Sequence, residues 1–175
     1  MRLMRLHPSR LALWVLAVAI IVADRLSKAW IVANLSEYAT TAVLPWLSPI
    51  ALFTRLPNTG VAFGMFPQLG GVFKILSAAV IVAIIIFHRS VDPHDWLTHI
   101  ALGFMVGGAT GNLIDRLTYG HVVDFIDFNF WPFRNFAIFN IADASIVIGV
   151  FLLLIVVWIQ ERQAARVERS QNPNS

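Results

Sequence analysis

The sequence contains no cysteine. That excludes disulfides, thiolate nucleophiles, and zinc or iron–sulfur sites held by thiolates. It assigns no compartment, because a chain without thiols works on either side of a membrane. Charge is also scarce. Asp, Glu, Lys and Arg make up 13% of the 175 residues, against about 25% in a soluble domain. The formal net charge of +3 comes from arginines and lysines placed mainly at the termini and helix ends. No basic cluster is interleaved with stacking aromatics, so no nucleic-acid partner is expected and the basic balance fits membrane topology. The histidines, His7, His88, His94, His99 and His121, form no His-Glu-x-x-His pattern, so the zinc-hydrolase arrangement is missing. No internal repeat of the kind that inverted-repeat transporters carry is present.

What remains is apolar. Hydrophobic residues are 58% of the chain, the mean hydropathy is +0.72, and several runs reach the ~20 residues that cross a bilayer. The sequence predicts an all-α membrane protein forming one membrane-embedded domain over residues 1–175. Four transmembrane helices are expected at about 11–31, 71–88, 96–117 and 139–159, with a small β-rich interfacial platform between the first two. A polar C-terminal tail, 160–175, is expected to fray at its end. Arg2, Arg5 and Arg10 ahead of an apolar run imitate a secretory signal peptide, with Ala17-Val18-Ala19 as a cleavage pattern. Cutting there would leave an apolar core of only about six residues, below the usual ~7–15. The run instead continues through Asp24, Lys28 and Trp30, which reads as an uncleaved first span. Pro45, Pro49, Pro57 and Pro67 bar a span from the next stretch. Ile50–Leu56 favours a strand there, and Trp46, Phe53, Phe63 and Phe66 suit an interfacial layer. In the third span Gly103, Gly107 and Gly111 recur every four residues, which puts them on one face where another helix can approach closely. Thr118–Ile138 reads as an aromatic loop.

Four spans place both termini on one side. Arg2, Arg5, Arg10, Arg89, Arg162, Arg166 and Arg169 lie on the terminal side, and Arg25, Lys28, Arg55, Lys74, Arg116 and Arg134 on the other. The margin is narrow. Discounting Arg25, Lys28 and Arg116, which adjoin acids at helix ends, favours both termini in the cytoplasm.

Half of the ten acids gather at helix ends or in the loop on one side: Asp24, Asp115, Asp124, Asp127 and Asp143. Asn58, Asn112 and Asn140 join them. Asp124 lies in an apolar segment after the third span, and Asp143 lies where the fourth begins. Ionisable residues kept at such positions are read first as functional. Two carboxylates held close cannot both ionise cheaply, so one keeps a proton near neutral pH while the other acts as base. Such a pair can activate water and protonate a leaving amine. The plainer readings are a solvated loop acid for Asp124 and a helix-dipole partner for Asp143. Asp127 is three residues from Asp124; in an extended segment the two face opposite ways, and spacing does not choose which joins Asp143. Asp24 and Lys28 form an i,i+4 pair whose plain reading is a helix-end ion pair. Asp115-Arg116 reads first as a structural pair, or as Arg116 snorkelling to phosphates. Lys74 and Ser77 share a helix face but imitate a Ser–Lys dyad only weakly.

These segments resemble a known family. Asp24…Lys28, Asn58-Thr59-Gly60-Val61-Ala62-Phe63, Gly108-Ala109-Thr110-Gly111-Asn112-Leu113-Ile114-Asp115-Arg116, Val122-Val123-Asp124-Phe125 and Phe139-Asn140-Ile141-Ala142-Asp143 occur in the order and spacing of bacterial lipoprotein signal peptidase (signal peptidase II). The resemblance spans about Asp24 to Gly149. It implies an aspartic endopeptidase of the bacterial inner membrane, with its site near the outer face. The substrate would be a diacylglyceryl-modified prolipoprotein in the phospholipid bilayer, cut before the lipidated cysteine. The family's catalytic pair falls on Asp124 and Asp143. Substrate-binding or supporting residues fall on Asn58, Gly60, Asn112, Asp115, Arg116, Asn140, Asp24 and Lys28. No metal, cofactor or obligatory protein partner is implied. Arg25 stands where the family usually has Gln, Leu56-Pro57 precede Asn58 where other residues are common, and Val61 replaces a common Ala. A proton- or ion-conducting protein would spread its acids through the membrane depth, and a purely structural subunit would tolerate their loss.

Overall fold

The computed structural model describes residues 7–42, 44–60 and 70–171. Four helices, α1 (Pro8–Asn34), α2 (Gly70–Phe87), α3 (Trp96–Thr118) and α4 (Ile141–Gln171), carry a three-stranded sheet of β1 (Thr40–Ala42), β2 (Ala51–Asn58) and β3 (Val122–Phe128). Val61 to Phe63 of the second motif, together with Phe66, Pro67, Arg2 and Arg5, lie outside the described residues.

α3 is the central helix and packs on α1, α2 and α4. The glycines allow this. A Cβ on Gly103 would stand 2.8 Å from the Leu13 carbonyl oxygen, and one on Gly107 would stand 2.9 Å from Ile20 Cβ. Both glycines therefore face α1. Gly111 is wedged between Asp24 of α1 and Ala142 of α4. The face α1 turns inward is Leu13, Ala17, Ile20, Asp24, Lys28 and Ile31, spaced three and four apart as one stripe of a helix. Its first half is apolar and its second half carries two charges.

The outside of the bundle is as apolar as its core. Leu11, Val15, Val18, Val22 and Leu26 of α1 are exposed, as are Val72, Ile75, Leu76, Val82 and Ile86 of α2. By length and composition two helical stretches can cross a membrane, Trp96–Thr118 and Ile141–Glu168, and Gly71–Phe87 is a shorter apolar helix. α1 has the length, 27 residues, but its second half holds Asp24, Arg25 and Lys28.

The platform is a sheet, but only two of its strands come from the segment between α1 and α2. β2 pairs antiparallel with β1 on one side and with β3 on the other. The stretch expected as an aromatic loop after α3 thus begins as a strand, because Val122–Phe128 finds a paired edge waiting at β2. It then forms a one-turn 3-10 segment, Phe133–Asn135. The polar tail continues α4 directly and is helical through Gln171; its end, where fraying is expected, lies outside the described residues. Arg162 lies over Trp158 at 4.5 Å, and no proline or glycine interrupts the run before that end.

The α1–α3 contact yields a first prediction. Gly107→Ala forces Ile20 or the Ala17 carbonyl to move, and should lower stability by about 1–3 kcal/mol. Gly71 has nothing within 4 Å of an added Cβ, so Gly71→Ala should not. Thermal unfolding of the two variants in detergent compares them directly.

Candidate active site

β3 is extended, and Asp124 and Asp127 accordingly part company. Asp124 is buried, with 1% of its surface exposed. Asp127 turns to the sheet, where its Oδ2 accepts the Thr54 hydroxyl at 2.7 Å. β2 pairs Asn58 with Val122, so Asp124 is its diagonal neighbour, within reach of a long side chain. The Asn58 amide takes that position and donates to Asp124 Oδ2 at 2.8 Å.

Asp143 arrives from the other direction. Asn140 is the residue before α4, and its Oδ1 accepts the Asp143 backbone N–H at 2.9 Å, while Asp143 Oδ2 accepts the Asn140 N–H at 3.3 Å. This reciprocal pair is a capping box, which satisfies donors at the helix start. The plain reading of Asp143 as a helix-start acid is thus physically present, and it leaves Oδ1 available. Asn112 of α3 donates to that oxygen at 2.7 Å. Asn140 meanwhile donates through Nδ2 to Asp124 Oδ1 at 2.6 Å. One asparagine therefore bridges both carboxylates.

Each of the three amides has its orientation fixed from behind. The Asn58 Oδ1 accepts the Gly60 N–H at 3.0 Å. The Asn112 Oδ1 accepts Lys28 Nζ at 3.1 Å and Asn140 Nδ2 at 3.3 Å. The Asn140 Oδ1 is taken by the capping bond. With their oxygens engaged, all three must present N–H to the acids.

Behind these amides sits a fully buried ion cluster. Lys28 Nζ lies 2.8 Å from Asp24 Oδ2 and 2.8 Å from Asp115 Oδ2, and all three side chains are 0% exposed. Arg25 bonds the other Asp115 oxygen and reaches the Tyr119 hydroxyl at 3.3 Å. The acids also hold backbone: Asp24 Oδ1 accepts Ala142 N–H at 3.0 Å, and Asp115 Oδ2 accepts Val123 N–H at 3.1 Å. Asp115 thus pairs with Lys28 and Arg25, and not with its neighbour Arg116 as the sequence order first reads. Arg116 is half-buried, rests at 5.8 Å over the Phe73 ring and lines the cavity that both Asp124 and Asp143 face. Among the described residues it makes no ion pair. That cavity is about 520 Å³, and its other walls include Phe128, Phe136, Phe139, Val147 and Ile148.

Burial, and after it the charge of Asp143, push the Asp124 carboxyl up to about 7, against the lowering effect of the Asn58 and Asn140 donors. Among the described residues no three carboxylate or imidazole groups converge as a metal site.

Known proteins resemble this chain over most of its length. The family model described as "Signal peptidase (SPase) II" matches residues 16–159. The chain belongs to the signal peptidase II family. Among curated relatives, the "Lipoprotein signal peptidase" of Shewanella sediminis is 37% identical over 163 residues, 91% of this chain and 87% of its own. That of Synechocystis sp. is 44% identical over 141 residues, 81% of this chain and 84% of its own. A solved bacterial membrane enzyme, determined by the in meso method at 2.3 Å resolution, superposes with a TM-score of 0.75 at 30% identity, covering 84% of this chain and 87% of that one.

In this member of the signal peptidase II family, every residue singled out from the sequence for the site falls in one connected region. The three asparagines hold the two acids; Gly60 holds Asn58; Asp24, Lys28 and Asp115 stand behind; Arg116 faces the cavity. Sequence reasoning leaves Arg25 out of the site residues, although it reads Arg25 as a cation adjoining acids at a helix end, beside Asp24 and almost one turn before Lys28. It also misses the backbone amides of Val123 and Ala142, which carry no sequence signal at all. Replacing Lys28 by Met would leave Asp24 and Asp115 buried without the shared ammonium. Loss of one partner in such a cluster costs about 3–5 kcal/mol, so Lys28→Met should show a large fall in unfolding temperature. A variant as stable as the wild type would mean the cluster does not hold the fold.

Proposed function

We propose that the chain is an aspartic endopeptidase that removes the signal peptide from diacylglyceryl-modified prolipoproteins, cutting before the lipidated cysteine with Asp124 and Asp143 as the catalytic pair. The observation that carries this reading is Asn140 joining both carboxylates at the wall of an apolar cavity. The reaction needs one proton shared between them. The ionised carboxylate takes a proton from water as its oxygen adds to the scissile carbonyl. The protonated partner gives its proton to the carbonyl oxygen. The tetrahedral diol then collapses, the C–N bond breaks, and the amine of the cysteine leaves with a proton. The signal peptide keeps the new carboxylate, and the pair returns to a single proton. Arg116 supplies a positive charge toward the carbonyl oxygen or a neighbouring peptide oxygen, where developing negative charge is stabilised best.

The surrounding fold supports a membrane setting with all four helices spanning. The exposed faces of α1 and α2 are apolar, and a bilayer is the solvent in which such faces cost nothing. Arg25 and Lys28 are consumed by Asp24 and Asp115, which leaves Arg55, Lys74, Arg116 and Arg134 on that side of the sequence against Arg2, Arg5, Arg10, Arg89, Arg162, Arg166 and Arg169 on the terminal side. That bias supports cytoplasmic termini and a site near the outer face of the bacterial inner membrane. The substrate's acyl chains then stay in the bilayer while the peptide enters from its surface.

The decisive comparison is cleavage of a diacylated prolipoprotein by Asp124→Asn, Asp143→Asn and Asp127→Asn. Asn keeps size and polarity without exchanging a proton. The first two should lose at least ~10³-fold in kcat, and Asp127→Asn should still cut. Two folded dyad variants that cut at wild-type rate would refute the mechanism.

The pH dependence has a definite sign. Asp124 is raised above the ordinary value near 3.9, so its carboxyl stays neutral until pH approaches about 7. The one-proton form of the pair is lost above that, so kcat should fall on the alkaline side. The Asn58 amide favours the charged carboxylate; Asn58→Ala should therefore move the alkaline limb to higher pH. Linkage gives the companion result. The native state holds a proton that the unfolded chain releases between about 4 and 7, so stability falls as pH rises through that window. Asp124→Asn removes this dependence and should gain thermal stability relative to the wild type at pH 8 over pH 5.

A further inference from the structure

A second cavity of about 550 Å³ adjoins the dyad cavity, and the two share Asn58, Phe136, Ala137 and Ile138 as walls. Their other walls differ in kind. The dyad cavity opens along Val147 and Ile148 of α4, which are exposed at 67% and 44%, so it is continuous with the apolar outside of the bundle. The second cavity turns away from α4 toward the sheet and is lined there by Leu56, Pro57, Asp127, Arg134 and Asn135. A path through both passes from an apolar wall, over the two carboxylates, to one where charged and amide groups stand among apolar ones.

The charged groups on the polar side are not equivalent. Asp127 is engaged by the Thr54 hydroxyl, which is itself bonded to Thr40 at 2.9 Å across the sheet. Arg134, on the 3-10 segment, is exposed and makes no ion pair or hydrogen bond among the described residues. Its position comes from the fold: the segment is tied back by Phe136 N–H to the Phe133 carbonyl at 2.9 Å. Its rings pack on Phe128, with Phe133 at 6.1 Å and Phe136 at 6.2 Å. A rigid aromatic base therefore presents a free guanidinium to the cavity beside the dyad.

We infer that this second cavity receives the chain on the mature side of the scissile bond, and that Arg134 makes it favour acidic side chains in the first few residues after the cysteine. The inference rests on the peptidase reading above. A substrate cut at the boundary between an apolar signal peptide and a polar mature chain changes character at the scissile bond, and the two cavities change character at the dyad in the same way. An Arg fork binds a carboxylate through two parallel N–H donors, and a partly enclosed pocket screens that contact less than open water does.

The test uses the purified full-length enzyme in bilayers of neutral lipid. Three diacylglyceryl-modified prolipoproteins differ only at the second and third mature residues, as Asp-Asp, Ser-Ser or Lys-Lys. The readout is the ratio of kcat/KM for the acidic over the basic substrate within each enzyme, so a general change in activity cancels. The wild type should favour the acidic substrate by about fivefold, the scale of one exposed ion pair, with the difference in KM. Arg134→Glu should reverse the order, and Arg134→Gln should bring the ratio near one. A ratio that is the same in all three enzymes would overturn the inference and leave the peptidase reading standing. An Arg134 that instead engages lipid phosphate would show as a KM lowered equally for all three substrates on adding anionic lipid, with no change in ratio, and that too would overturn it. Failure of the wild type to cut any of the three would remove the peptidase reading, and this subsite with it.

Discussion

The structure depends on one buried ammonium group. Lys28 Nζ is enclosed by Asp24, Asp115 and the Asn112 side-chain oxygen, and the segments carrying both acids of the proposed pair are fixed through it at one remove. Asp24 holds the backbone at Ala142, the residue before Asp143. Asp115 holds the backbone at Val123, the residue before Asp124. Asn112, oriented by Lys28, holds Asp143 itself. A charge cluster of this kind gives little net stability, since desolvation offsets most of its Coulomb energy. Its effect is on position: breaking it leaves uncompensated charge inside the bundle, so alternative registers of α1, α3, β3 and α4 are strongly disfavoured.

That constraint explains how two acids are kept in a place where acids are costly. Asp124 accepts two N–H donors and Asp143 accepts two. The two donors to Asp124 favour its ionisation, while its burial and the proximity of Asp143 oppose it. For Asp124 burial prevails, and its carboxyl is held neutral to about 7. In the proposed mechanism the pair would share one proton close to neutrality, where a group acting as acid and base works best. The proton belongs to the pair rather than to either residue. Because all three amides are locked by partners behind them, little reorganisation accompanies a shift of charge, which is the condition under which fixed dipoles stabilise a transition state most.

Much of this is legible in the sequence, for physical reasons that can be named. The helices show as apolar runs, and the glycine spacing in α3 marks the face where α1 docks. The acids are legible as a group because helix ends gather on one side. The choice between Asp124 and Asp127 is not, since an extended segment of unknown partner has two equivalent faces; pairing with β2 breaks that equivalence. β3 itself is hidden because its partner lies more than sixty residues earlier, a separation no local pattern reports, and its aromatics suit a loop equally well. The helical run past Ile159 is hidden for the opposite reason. Its polar residues, Gln160 to Gln163, look like a loss of helix, whereas they mark only a loss of apolar surroundings. Residues such as Glu, Arg, Gln and Ala keep good helix propensity in water.

The distribution of constraint within the site also bears on which positions can vary. Each residue touching the dyad is tied twice, forward to a carboxylate and backward to a backbone or charged partner, so a change at any one disturbs the rest. The stretch from Asn129 to Ile138 is tied differently. It is anchored by aromatic rings on Phe128, by a short-range backbone bond and by Asn129 donating to the Ile50 and Ser48 carbonyls, and Arg134 within it takes part in none of these. Substitution there alters the rim without reaching the acids. On the proposed reading this separates two roles: the chemistry is held by a network in which no member moves independently, and preference for the residues beyond the bond is set by a side chain that the network does not include.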